Sequence, residues 1–145
     1  LSRSQMQQIQ TLLNQRGFNA GTPDGVMGAK TVSAIKAFQT CRSKDADFVL
    51  QDAAATLNLA KAAWNAGDAS LALAVLQGFD RRFKDHDSVP AAYELVARVL
   101  LQGLNRTDMA LRVLATLESR HPDTEATRET RWLLRNHVPQ GAAGV

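Results

Sequence analysis

Between Gly17 and Gly28 the chain sets four glycines and Pro23 among Phe18, Val26 and Met27, then runs at helical spacing through Val32, Ala34, Ile35 and Phe38. A linker has no use for large apolar side chains, so this interleaving implies a tightly folded loop whose Phe18, Val26 and Met27 fill the space between two helices. Asp24-Gly25 is a turn signal, because Gly25 tolerates positive φ and the Asp24 carboxylate reaches backbone amides two residues on. Thr31 stands where a helix cap or first-turn residue belongs. Upstream, Ser4 with Gln7 three residues later reads as a capping box, Met6, Ile9, Leu12 and Leu13 form one apolar stripe, and Gly17 after Arg16 is a C-terminal stop. The unit is helix, ordered loop, helix.

Ile9-Gln10, Leu13, Gly17-Phe18, Gly21, Asp24-Gly25, Gly28, Thr31, Ala34-Ile35 and Phe38-Gln39 together resemble the motif of the peptidoglycan-binding domain family, over residues 4–42. The resemblance implies a small helical module of bacterial cell-wall proteins, and with it a periplasmic or cell-envelope location. Members of that family continue past the Phe-Gln pair with a second Asp-Gly turn and a short third helix. Here residues 40–44 lead to other material, so the third helix is missing. The resemblance implies peptidoglycan as ligand, with Phe18, Asn19, Asp24, Gly25, Lys30 and Thr31 as candidate binding residues. The same glycines, Thr31 and Phe38 are equally explained by folding alone.

From Asp45 onward alanine and leucine dominate. Residues 45–66 read as a helix with Phe48, Leu59 and Trp64 among its apolar positions, and Gly67-Asp68 ends it and caps the next. Leu71, Val75, Leu76, Phe79 and Phe83 define one amphipathic helix. Lys84 to Ser88 is a polar loop, Pro90 opens a helix over 91–103, residues 105–108 turn, and further helices run to Arg120 and from Thr124 to His137. The tail 138–145 has no periodicity and is expected to be flexible. Ala72 to Leu76 and Ala110 to Leu114 are near copies 38 residues apart, within the range of about 34–47 residues that marks two-helix solenoid repeats. Gly67-Asp68 with Ala72 and Leu76, and Ala110 with Leu114 and Pro122, resemble tetratricopeptide repeats. That family implies a protein or peptide held in a groove, for which Lys61, Trp64, Asn65, Arg98 and Gln102 are the candidates. A plain helical bundle, with Trp64 in its core, is the alternative.

No set of side chains suggests catalysis. His86, His121 and His137 are far apart, no spacing suits a metal, no phosphate loop is present, and His86 between Asp85 and Asp87 reads as a solvated acidic loop. Cofactor and metal are therefore expected to be none. Lone Cys41 reads as a small buried hydrophobe. A net charge of +3 and pI near 9.4 suit a weakly anionic polymer, whereas Arg81-Arg82 and Arg128, Arg131 and Arg135 are scattered without stacking aromatics, as on solvated helix faces, which argues against nucleic acid. No apolar run is long enough to span a membrane. The first residue is Leu, so the sequence is read as a mature or excised piece of a longer chain.

The expectation is an all-α protein: a helix-loop-helix, peptidoglycan-binding-like domain over 1–44, tetratricopeptide-like antiparallel hairpins over 45–137, and the tail. The function expected is a non-enzymatic envelope protein that binds peptidoglycan through the first part and an unidentified envelope protein or peptide through the second. Two alternatives stand beside it: a purely protein-binding scaffold that keeps the wall motif as a structural cap, and the accessory part of a cell-wall hydrolase.

Overall fold

In the computed structural model, which describes residues 1–44 and 52–137 and the side chains among them apart from those of 42–44, helix α1 (Arg3–Gln15) starts earlier than expected. Its cap is Ser2, whose hydroxyl accepts from the Gln5 amide at 3.1 Å while the Gln5 side chain accepts from the Ser2 amide at 2.9 Å. Ser2 and Ser4 each carry a glutamine three residues on, and the earlier pair wins because it lengthens the helix, and elongation adds a hydrogen bond per residue without a second nucleation penalty. Met6, Ile9 and Leu13 are buried as the stripe requires, and Gln10 is buried with them. The helix ends in a Schellman motif, Phe18 N donating to Leu13 O and Gly17 N to Asn14 O.

Helix α2 (Ala29–Lys44) buries Thr31, Ala34, Ile35 and Phe38. Phe18 packs edge-on against Phe38, centroids 5.8 Å apart. Val26, expected between the helices, is instead 59% exposed, and Ala20 fills the inner position. Cys41, expected inside, is exposed. Helix α3 (Ala53–Asn65) is capped by the Asp52 carboxylate, and α4 (Ala69–Leu76) by that of Asp68. The pair α3/α4 forms a hairpin on small buried side chains, Ala60, Ala62, Ala63 and Ala72, which let the two axes approach closely. This hairpin packs on α1 and α2, with Gln39 Nε2 donating to Ala74 O at 3.1 Å and Lys36 pairing with Asp68 at 3.4 Å. The first compact unit is accordingly Leu1–Gln77 and the second Gly78–Val145. Compactness thus groups α3 and α4 with α1 and α2, where the sequence division set a boundary at 44/45.

The single helix expected through Phe83 is two. Gln77 leaves helical geometry (φ −58°, ψ 125°), Gly78 turns left-handed, and α5 (Phe79–Arg82) begins the second unit. Helix α6 (Val89–Arg98) has proline in its first turn and widens into a π-helical turn at Val99–Gly103. That wider turn lets three successive residues, Val99, Leu100 and Leu101, all face inward. Helix α7 (Thr107–Arg120) takes in Thr107 and Asp108, assigned to the turn by the sequence, and α8 (Glu125–Asn136) is capped by the Thr124 hydroxyl. Helices α6, α7 and α8 pack on one another around Leu95, Ala97, Ala110, Leu117 and Leu133. Thr127 and Thr130 are fully buried there too, their hydroxyls satisfied by the carbonyls of His121 and Ala126. Trp132, beside Leu133 in the sequence pattern, faces outward. Arg82 departs from the solvated face expected of it: its guanidinium nitrogens are buried without a hydrogen-bond partner, and its Cζ lies 5.2 Å from the Phe83 ring centroid.

The 38-residue correspondence is visible in the backbone. It maps the cap Asp68 onto the cap Arg106 and Gly67 (φ 84°) onto Asn105 (φ 54°), the left-handed residue that lets each hairpin turn. Every regular element among the described residues is helical, as the all-α expectation required. Phe48 and the tail from Val138 lie outside the described residues.

Candidate functional site

Gln10 lies within the buried stripe of α1, only 1% exposed, where an unpaired amide would be costly. It is fully engaged. Its Nε2 donates to Val26 O at 2.9 Å and Thr31 Oγ1 at 3.1 Å, and its Oε1 accepts from Gly25 N at 2.9 Å. The loop has no strand or helix to satisfy its backbone, and this side chain supplies the missing partners. Asn14 does the same nearby, accepting from Ala20 N at 2.8 Å and donating to Gly21 O at 2.9 Å. Asx turns complete the frame: Asn19 Oδ1 accepts from Gly21 N at 3.0 Å, and Asp24 Oδ1 from Val26 N at 2.9 Å. Arg3 Nε closes the loop from α1, donating to Asp24 O at 2.9 Å.

The loop so fixed encloses an open depression of about 350 Å³. Its floor is Gln10, Ala20 and Thr31, and Asp24, Val26 and Lys30 stand around it. The hydrogen bond from Val26 N holds the Asp24 carboxyl below the usual aspartate range, with smaller help from Gln10 and Arg3 against the opposing effect of desolvation. Asp24 is therefore a carboxylate at neutral pH. The arrangement offers a carboxylate, a basic side chain, a mixed polar floor and an exposed isopropyl group on one hydrogen-bonded surface.

Of the six candidates, Asp24, Lys30 and Thr31 line this depression. The Thr31 hydroxyl is already committed, donating to Ala20 O at 3.1 Å while accepting from Gln10. Asn19 is exposed outside the lining, Phe18 is half-buried against Phe38, and Gly25 turns its amide inward to Gln10. Gln10 and Val26 were not among the candidates. A glutamine inside an apolar stripe was the signal available for the first; nothing in the sequence marked Val26 as exposed.

The groove candidates fall in different units. Lys61 and Trp64, both half-buried, and exposed Asn65 lie on α3; Arg98 ends α6, paired with Glu94 at 3.3 Å, and Gln102 is exposed in the π-helical turn. His86 serves its own loop, its Nδ1 accepting from Ser88 N at 3.0 Å. Among the described residues no group of three metal-ligating side chains converges, and no helix is long and apolar enough to cross a membrane.

Residues 2–42 match the family described as "Putative peptidoglycan binding domain". This covers α1, the loop and α2 up to Arg42, and suggests wall binding and a place in the cell envelope. Neither the curated proteins nor the solved structures contain a match to the chain.

Proposed function

We propose that this protein is a non-catalytic periplasmic or cell-envelope adaptor that binds peptidoglycan through the loop between α1 and α2 and a protein or peptide partner through its tetratricopeptide-like hairpins. The observation that carries the reading is the open depression on a loop whose backbone is already satisfied by Gln10, Asn14, Asn19 and Asp24. A site built this way binds without first ordering itself, which keeps the entropic cost of binding low. Asp24 would accept from sugar hydroxyls, Lys30 would meet wall-peptide carboxylates, and Val26 would cover the C–H face of a sugar ring. Affinity per site is modest, and retention comes from many equivalent sites on one polymer.

The test is co-sedimentation with purified sacculi. The parent chain is expected in the pellet, and Asp24→Ala with Lys30→Ala is expected to lower the bound fraction about tenfold while the chain still melts cooperatively, its melting temperature lowered only by loss of the Asp24–Val26 hydrogen bond. Recovery of the parent chain wholly in the supernatant would sink the reading.

One observation favours the scaffold alternative. Gln39 and Lys36 tie α2 to α4, so α1 and α2 also act as a cover for the hairpin α3/α4. On that reading the double variant sediments with sacculi no differently from the parent.

A further inference from the structure

We propose that the Gly78–Val145 unit carries a separate small-ligand site, a cleft that takes a short peptide with both termini free. The proposal does not depend on wall binding by the N-terminal loop.

The cleft holds about 450 Å³, inside the range of about 300–1,000 Å³ typical of small-ligand sites. Asp80 of α5 and Tyr93 of α6 form one side, Lys84 and Asp85 of the connecting loop another, and Arg120 with His121 the end of α7. Two carboxylic and two basic side chains therefore face one space. Among the described residues no ion pair joins any of the four, although pairs form elsewhere at Lys36–Asp68, Glu94–Arg98 and Glu118–Arg131. Opposite charges that share a cleft without neutralising one another leave it complementary to a ligand bearing both signs.

The individual groups are positioned for this. Asp80 is steadied by Tyr93, whose hydroxyl donates to its Oδ2 at 2.8 Å, and by Arg81 N, which donates to its Oδ1 at 3.0 Å. Asp85 is held in the left-handed region (φ 65°), an uncommon conformation for a residue other than glycine, in the loop that also presents Lys84. The Tyr93 and His121 rings, 6.3 Å apart, and Val89 supply apolar surface for small side chains. A ligand carboxylate fits Lys84 and Arg120, and its ammonium fits Asp85 and the remaining lone pairs of Asp80.

The experiment titrates the isotope-labelled full chain with alanyl-alanine, its N-acetyl form and its C-terminal amide, following backbone amides by NMR. The free dipeptide is expected to shift the amides of residues 84, 85, 93 and 121 saturably, with a Kd of about 1 mM, and either capped form to bind about tenfold more weakly. In Arg120→Gln the free and amidated dipeptides should bind alike; in Asp85→Asn, which keeps a side chain tolerant of left-handed backbone, the free and acetylated forms should bind alike. No saturable shift up to about 10 mM, equal binding of capped and free forms, or variants that bind like the parent would each overturn the proposal. Should a variant fail to fold, the capped series on the parent chain decides alone.

Discussion

Gln10 is the residue on which the loop turns. Gln10→Leu preserves bulk but strands Gly25 N and Val26 O and removes three hydrogen bonds, so it should cost about 3 kcal/mol in chemical denaturation. Gly25 has no room to change: a Cβ there would lie 2.7 Å from Arg3 O, closer still to Arg3 Cγ, at φ 81°. Gly25→Ala is therefore expected to destabilise by about 2 kcal/mol or more, with the chemical shifts of Arg3 and Gln7 the first to move. Asp24 makes a pH-dependent contribution of known sign. Its folded pKa lies below the ordinary value, so the stability it adds is fully present above that ordinary value and is lost as pH falls through the depressed one. A carbon-detected titration of its carboxyl should find the midpoint under that of a free aspartate; a midpoint at or above it would contradict the Val26 hydrogen bond. The turn at Asp24-Gly25 was legible because one carboxylate and one glycine suffice to make it. The role of Gln10 was not, since its partners lie 15 to 21 residues away and no local rule names them.

Among the elements, the ends of helices give the sharpest tests. Ser2→Ala should cost about 1 kcal/mol and Ser4→Ala almost nothing, because only Ser2 caps α1. The two positions share the same local pattern, which is why the sequence alone could not choose between them. Asn105 is the asparagine counterpart of Gly67, and Asn105→Gly should raise stability by about 0.5 kcal/mol, while Asn105→Val lowers it by at least about 1 kcal/mol. The paired positions 38 residues apart could be read from the sequence, as repeated turn chemistry is a local property. The break at Gln77 was less legible: Leu71 through Phe83 keeps helical spacing across Gln77 and Gly78, where the chain leaves the helix and turns left-handed.

At the scale of the molecule, α1 and α2 belong to a larger compact unit. Both pack on α3, and α2 also packs on α4, in a compact unit that ends at Gln77. A fragment ending at Lys44 is expected to show weak helical circular dichroism and no cooperative melt, whereas Leu1–Gln77 should melt cooperatively; a sharp transition in the shorter piece would refute this. That the hairpin α3/α4 packs on α1 and α2 was not evident in the sequence. Helix periodicity, turns and caps depend on residues within a few positions of one another, and so the sequence by itself determined the all-α class, most helix positions and the bend at Asp24-Gly25. Which side chains face solvent depends on what packs over them, and only the tertiary structure decided that Val26 and Trp132 stand outside, that Gln10 serves the loop, and that Asp80, Asp85, Lys84 and Arg120 share one cleft.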